Sequence, residues 1–200
     1  MTHDVWEELG SRAEPSWYLD PLVARQKRAV HLELAARWLP PTGIRSILKT
    51  DLFEEAFGED HVLLDLAPSA SLRCGMEESY TTTVAAARRF AALRGTLLVA
   101  DIRSTGLRDS CFDAIVSTST LDHFQTRAEF LQALDEIHRL LRPDGALLLT
   151  LDNPWNPLYP PLRLLSGTRF APFPLAMRPP YARSVAIWKH GVSGWRVRIG

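Results

Sequence analysis

"TRAEFLQALDEIHRLLRPDGALLLTL", residues 126–151, runs from a helix start through a helix stop into a strand. Thr126 and Glu129 have the spacing of a capping box, in which hydroxyl and carboxylate each satisfy a backbone donor of the first turn. Phe130, Leu134, Ile137 and Leu141 then recur at helical intervals and predict one apolar face. Arg139 and Arg142 suit the negative end of the helix dipole, and Pro143 and Gly145 close the helix. The apolar "GALLLTL" that follows reads as a buried strand.

The same alternation extends upstream. Residues 44–48, 72–76, 96–102 and 112–117 read as strands. Residues 52–67, interrupted near Gly58, and 82–93 read as helices between them. A further helix precedes the first strand, with Asp20 as cap and Pro21 in its first turn. Val30, Leu34 and Trp38 give it an apolar stripe, and Pro40, Pro41 and Gly43 end it. Strands separated by helices of this length imply a three-layer α/β fold, with a mainly parallel sheet covered on both faces.

Composition narrows the function classes. The 200 residues carry 23 basic and 23 acidic groups, so no net field draws the chain to nucleic acid or an anionic membrane. No apolar run approaches the ~20 residues of a membrane span, so no transmembrane segment is expected. "MTHDVWEELG" lacks a basic region followed by an apolar core, so no signal peptide is expected. Cys74 and Cys111 have no metal or redox spacing and read as structural thiols of a reducing, cytoplasmic setting. The six histidines form no paired ligand motif, and no metal is expected.

Three stretches, in order, resemble class I S-adenosylmethionine-dependent methyltransferases of the methyltransferase type 11 kind. "CGMEESYTTTVAAAR" (74–88) is similar to the family's second strand, with Gly75, Glu77 and Ser79 at its glycine-x-acid-x-serine positions. "GTLLVADIRSTGLRDSCFDAIVSTSTLDHF" (95–124) is similar to the third strand with its terminal aspartate and to the fourth strand. "EFLQALDEIHRLLRPDGALLLTLDNP" (129–154) is similar to the helix, Arg-Pro-Gly-Gly-type turn and fifth strand.

The resemblance implies a Rossmann-like methyltransferase fold that binds S-adenosyl-L-methionine. It assigns the ribose hydroxyls to Glu77, or to Glu78 if the register shifts by one; a carboxylate offers two acceptor oxygens for them. Both acids also suit a plain place before a helix N-terminus. It assigns the adenine amino group to Asp101 and one flank of the ring to Ile102, although Asp101 alone also suits a strand-end turn. Ser117 and Ser119 would lie beside the sulfonium. His123 is the candidate general base, because histidine is the side-chain type suited to proton exchange near neutral pH.

The sequence departs from the family at its first motif. Where a glycine-rich turn is usual, this chain has "KTDLFEEA", and the first glycine comes only at Gly58. Side chains there hold the backbone away from a ligand. Asp51 can offset this with a charge facing the cofactor's ammonium and sulfonium, and Thr50 can add a hydroxyl. Asp51 equally suits a cap on the helix beginning at Leu52.

The expected organisation is an N-terminal helical cap over 1–43, a cofactor-binding core over 44–154, and a Pro-rich segment over 155–200. The last segment belongs to the same domain and can end in a β-hairpin over 185–199, or be an incomplete or divergent version of one. The expected function is methyl transfer to a small-molecule or lipid-like acceptor. No basic stripe with interleaved aromatics favours nucleic acid. The alternative is a non-catalytic binding or regulatory protein on the same fold. A nicotinamide dehydrogenase is disfavoured, because no G-x-G-x-x-G follows any strand.

Overall fold

The computed structural model describes residues 7, 8, 10, 11, 21–93 and 96–151, all within the unit that ends at Leu151. The Asp20 cap and the hairpin expected over 185–199 lie outside the described residues.

Five strands form one parallel sheet in the order β3-β2-β1-β4-β5. They are β1 (Ser46–Lys49), β2 (Leu72–Glu77), β3 (Leu97–Val99), β4 (Phe112–Thr118) and β5 (Leu141–Thr150). Among the described residues, four helices have both ends defined: α1 (Pro21–Trp38), α2 (Phe53–Phe57), α3 (Tyr80–Arg89) and α4 (Arg127–Leu140). This is the Rossmann-like α/β architecture expected from the alternation of elements. Leu48 lies opposite both Cys74 of β2 and Ile115 of β4, so β1 is central. All four of its residues are buried, as in a strand covered on both faces. One apolar cluster joins Ile47, Ala114 and Val116 to Ala35 and Leu39 at the end of α1. A second joins Leu52, Ala56 and Leu63 to Ala86 of α3. Gly75 allows this second contact, because a Cβ there would run into the Leu52, Leu97 and Leu63 side chains.

Helix α4 forms as its sequence predicts. Thr126 and Glu129 close a reciprocal capping box, and Phe130, Leu134, Ile137 and Leu140 are buried. Strand β5 starts sooner than expected, at Leu141, because that residue pairs with Phe112 of β4. The next four residues, with Asp144 at φ 63, bulge out before Ala146 pairs with Ala114.

Three other expectations are corrected. The helix over 52–67 is only α2. Gly58 is extended at its end, and Glu55 Oε1 accepts the backbone N–H groups of Val62 and Leu63 at 3.0 Å each, in place of helical carbonyls. The stripe expected on α1 holds in part: Leu34 and Trp38 are half-buried against the core, but Val30 is 41% exposed, and the buried residues are Ala24, His31 and Ala35. Small alanines let α1 approach closely, and Lys27 beside them pairs with Glu54 and Asp60. Strand β3 stops at Val99, so Asp101 lies beyond it in a short bridge with Ser104.

Candidate functional site

Strand order reverses between β1 and β4, and open α/β sheets hold ligands at such a point, outside the carboxyl ends of the strands. A cleft lies there. Thr50, Asp51 and Phe53 line it from the β1–α2 turn, and Met76, Glu77 and Glu78 from the end of β2. Ala100 to Arg103 line it after β3, and Thr120, His123 and Phe124 after β4. The chain leaves β4 through Ser119 at φ 51, a left-handed conformation that is uncommon for a side-chain-bearing residue.

The turn after β1 is built on a buried cation. Lys49 is wholly buried, and its Nζ donates to Asp51 O at 2.5 Å, Glu54 Oε2 at 2.7 Å and Glu55 Oε2 at 2.9 Å. An ammonium has three donors, so all are used, and none is left for a ligand. Burial opposes the charge, but Glu54 and Glu55 overcome it and hold the Lys49 pKa well above its ordinary value. Burial also works against Glu54, yet Lys49 and Lys27 bring it down to about 2. Lys49 therefore braces the turn from beneath. What the turn presents to the cleft is Asp51 and Thr50.

Asp51 Oδ1 accepts the backbone N–H of Phe53 at 2.7 Å, so the carboxylate does hold the first turn of α2. It forms no ion pair with a described residue. Burial raises its pKa well above 3.8, and the nearby Glu54 raises it further. Glu77 Oε1 accepts from the backbone N–H groups of Glu78 at 2.8 Å and Ser79 at 3.2 Å, and Oε2 from Leu52 at 3.2 Å. Burial still lifts its pKa above 4.5. The cleft thus contains two half-buried acids whose pKa values are both raised by desolvation. A ligand with positive charge at that end would relieve both.

Asp101 is placed differently. Its carboxylate is gripped by Arg103 through Nε at 2.9 Å to both oxygens and Nη2 at 2.7 Å to Oδ2, with the Arg103 backbone N–H at 2.8 Å from Oδ1. Burial would raise the Asp101 pKa, but these Arg103 contacts lower it. Ile102 is buried and lines the cleft. Ser117 is fully buried behind Thr50, whose hydroxyl donates to Ser117 Oγ at 2.9 Å; it does not line the cleft. His123 lines the cleft beside Thr120 and Phe124. The structure therefore brings together Thr50, Asp51, Glu77, Asp101, Ile102 and His123, and sets Ser117 beneath them.

Two contributions escaped the sequence reading. Arg103 follows Asp101 as an ordinary charged loop residue, and only the fold turns it back onto the acid. Glu7 accepts from Ser79 Oγ at 2.7 Å and Thr81 N at 3.2 Å, and it also pairs with Thr81 Oγ1. That puts a carboxylate on the positive N-terminus of α3, next to Glu78. Its faint signal was the pair of hydroxyl residues at the helix start. Among the described residues, no group of three or more His, Cys, Asp or Glu could hold a metal ion.

Residues 49–149 match the family described as a methyltransferase domain. The match spans half of the chain, and the protein belongs to this methyltransferase family. Among solved structures it is similar to the N-methyltransferase NodS from Bradyrhizobium japonicum, in complex with S-adenosyl-L-homocysteine. That likeness covers 72% of this chain and 70% of NodS, with 19% identity and a TM-score of 0.58. The PH0226 protein from Pyrococcus horikoshii is similar over 71% of this chain and 62% of its own, with 17% identity and a TM-score of 0.52. The S-adenosylmethionine-bound amino pentose methyltransferase CalS10 from Micromonospora echinaspora is similar over 77% and 58%, with 18% identity and a TM-score of 0.50. At these identities the likeness establishes the fold. No curated protein sequence matches this one.

Proposed function

We propose that this protein binds S-adenosyl-L-methionine in the cleft and directs its methyl group to a small-molecule or lipid-like acceptor in the cytoplasm. The observation that carries the proposal is the pair of half-buried acids, Asp51 and Glu77, facing one cleft of a methyltransferase-family fold without an ion-pair partner among the described residues. The amino-acid end of the cofactor is cationic at both its ammonium and its sulfonium, so the charge balance fits. When bound, the cofactor supplies an electrophilic methyl group.

This chain's residues have the remaining tasks. Asp51, with the Thr50 hydroxyl beside it, holds the ammonium end. Glu77 already accepts three backbone donors, and a carboxylate has about four lone-pair positions, so it can take one ribose hydroxyl. Glu78, in the same cleft, is the acceptor for the other. Ile102 flanks the adenine, and Asp101 receives its amino group. His123 is the group positioned to take a proton from the acceptor. Orientation and exclusion of water would supply much of the rate gain.

The small-molecule reading is supported by the apolar Phe53, Met76 and Phe124 in the lining and by the balanced charge of the chain, which offers nucleic acid no footprint. Among the described residues, no helix is long and apolar enough to cross a membrane. Both Cys74 and Cys111 are free thiols, which supports a reducing compartment.

One observation favours the second reading, a non-catalytic binding protein: the acid expected to read adenine is already held by Arg103. Calorimetric titration with S-adenosylmethionine, S-adenosylhomocysteine and NAD separates the possibilities. The proposal expects the two adenosyl amino acids to bind and NAD not to. Absence of binding by either sulfur ligand would sink it, and binding without turnover of any acceptor favours the second reading.

A further inference from the structure

Four N–H···O contacts reach the Asp101 carboxylate, two on each oxygen, and all come from Arg103. They come from three N–H groups, because the Nε–H is shared between the two oxygens, so Arg103 engages both oxygens and another donor has to compete with it. The same guanidinium has a second seat. Nη1 donates to Glu129 Oε1 at 2.8 Å, and the guanidinium carbon lies 5.3 Å from the centre of the Phe124 ring. Glu129 serves its capping box through Oε2, which leaves Oε1 to Arg103.

We infer that Arg103 is a latch on base recognition, competing with the adenine amino group for Asp101 and remaining tethered to Glu129 and Phe124 when adenine takes its place. This rests on the adenosyl reading of the cleft. The latch explains how an arginine can line the cleft and still permit binding: one edge of its guanidinium is released while the other stays tethered. It also makes Arg103 a specificity residue. A base with a carbonyl in place of the amino group accepts rather than donates at that atom and cannot replace Arg103 there.

Arg103→Met keeps the stem and removes the guanidinium. Two readouts are needed: titration of the Asp101 carboxyl by NMR, and equilibrium binding of adenosine, inosine and S-adenosylhomocysteine. The latch expects Asp101 to titrate at a higher pH in the variant. Adenosine and S-adenosylhomocysteine should bind roughly two- to tenfold more tightly, the scale of one partly exposed ion pair, with inosine unimproved. Glu129→Gln preserves the capping box and weakens the second seat, so it should weaken adenosine binding. It provides an independent reading should Arg103→Met fold poorly.

Unchanged titration of Asp101 overturns the latch, as does weaker adenosine binding in Arg103→Met or equal tightening of both nucleosides. In each of these cases the cofactor reading stands. Should neither chain bind any adenosyl ligand, the cofactor reading falls and the latch falls with it.

Discussion

The backbone N–H of Leu52 donates to Glu77 Oε2 at 3.2 Å, so one carboxylate joins the turn after β1 to the tip of β2. Both ends of the proposed cofactor site are held in register by that contact.

Glu77→Gln should therefore act twice. An amide keeps one acceptor oxygen and turns its NH2 toward a backbone donor, so the melting temperature should fall. Hydrogen bonds to a charged group are worth ~1.5–3 kcal/mol, so affinity for S-adenosylhomocysteine should drop roughly ten- to a hundredfold. Adenosine, which carries the same ribose, should lose as much. A calorimetric series in which Glu78→Gln weakens binding and Glu77→Gln does not would move the ribose role to Glu78.

The raised carboxyls set a pH dependence. A group whose folded pKa lies above its unfolded value contributes stability that is complete below the unfolded value and lost as pH rises through the folded one. Asp51 is raised from 3.8 and Glu77 from 4.5, so both should destabilise the apo protein as pH rises above those values. Glu54, brought down to about 2, acts oppositely: its stabilisation is present above 4.5 and lost as pH falls toward 2. Asp51→Asn keeps an oxygen for Phe53 and removes the charge. Near pH 7 it should raise the apo melting temperature while weakening S-adenosylhomocysteine and sparing adenosine. A variant that melts lower at every pH and binds both ligands normally would make Asp51 a cap alone.

Lys49→Met should be among the most damaging single changes. It leaves Glu54 and Glu55 buried, with Lys27 on Glu54 as the remaining ion pair among the described residues, and breaking a buried ion pair from one side costs ~3–5 kcal/mol. Lys49→Met combined with Glu54→Gln should recover part of that loss in urea denaturation. If the double variant is no more stable than the single one, the cluster is not held together by charge.

Gly75→Ala tests packing against binding. The added methyl meets Leu52, Leu97 and Leu63, whose ends must shift, and overpacking of this kind costs ~1–3 kcal/mol. Stability should fall, with S-adenosylhomocysteine affinity of the folded fraction close to wild type. A large affinity loss at unchanged stability would give Gly75 a ligand role instead.

Legibility in the sequence followed the range of the forces involved. Helix α4 was readable because its capping box and apolar spacing act within one or two turns. The α/β class was readable because the alternation of elements repeats along the chain. The interior of the first motif was not. Lys49 looked like a charged turn residue, and its counter-ions at 54 and 55 are helped by Lys27 from a different helix. Helix α1 was misread at Val30 for the same reason, since its buried side also holds alanines, His31 and a lysine whose partners lie elsewhere, while Leu34 and Trp38 do pack against the core. Asp51, Glu77 and Asp101 were singled out from the sequence, and the fold brings all three to one cleft. That Arg103 contests the last of them depends on a loop reversal that periodicity cannot show.

The three acceptors around Lys49 also bear on ancestry and engineering. The lysine at this position draws its charge compensation from Glu54 and Glu55, and those two acids draw theirs from the lysine, with Lys27 adding to Glu54. Neither half can drift alone. Replacing residues 49–53 with a glycine-rich turn would strand the acids, so a working graft has to exchange the whole block through residue 55. Sequences descended from this chain should therefore keep the lysine and both glutamates together, or lose all three at once.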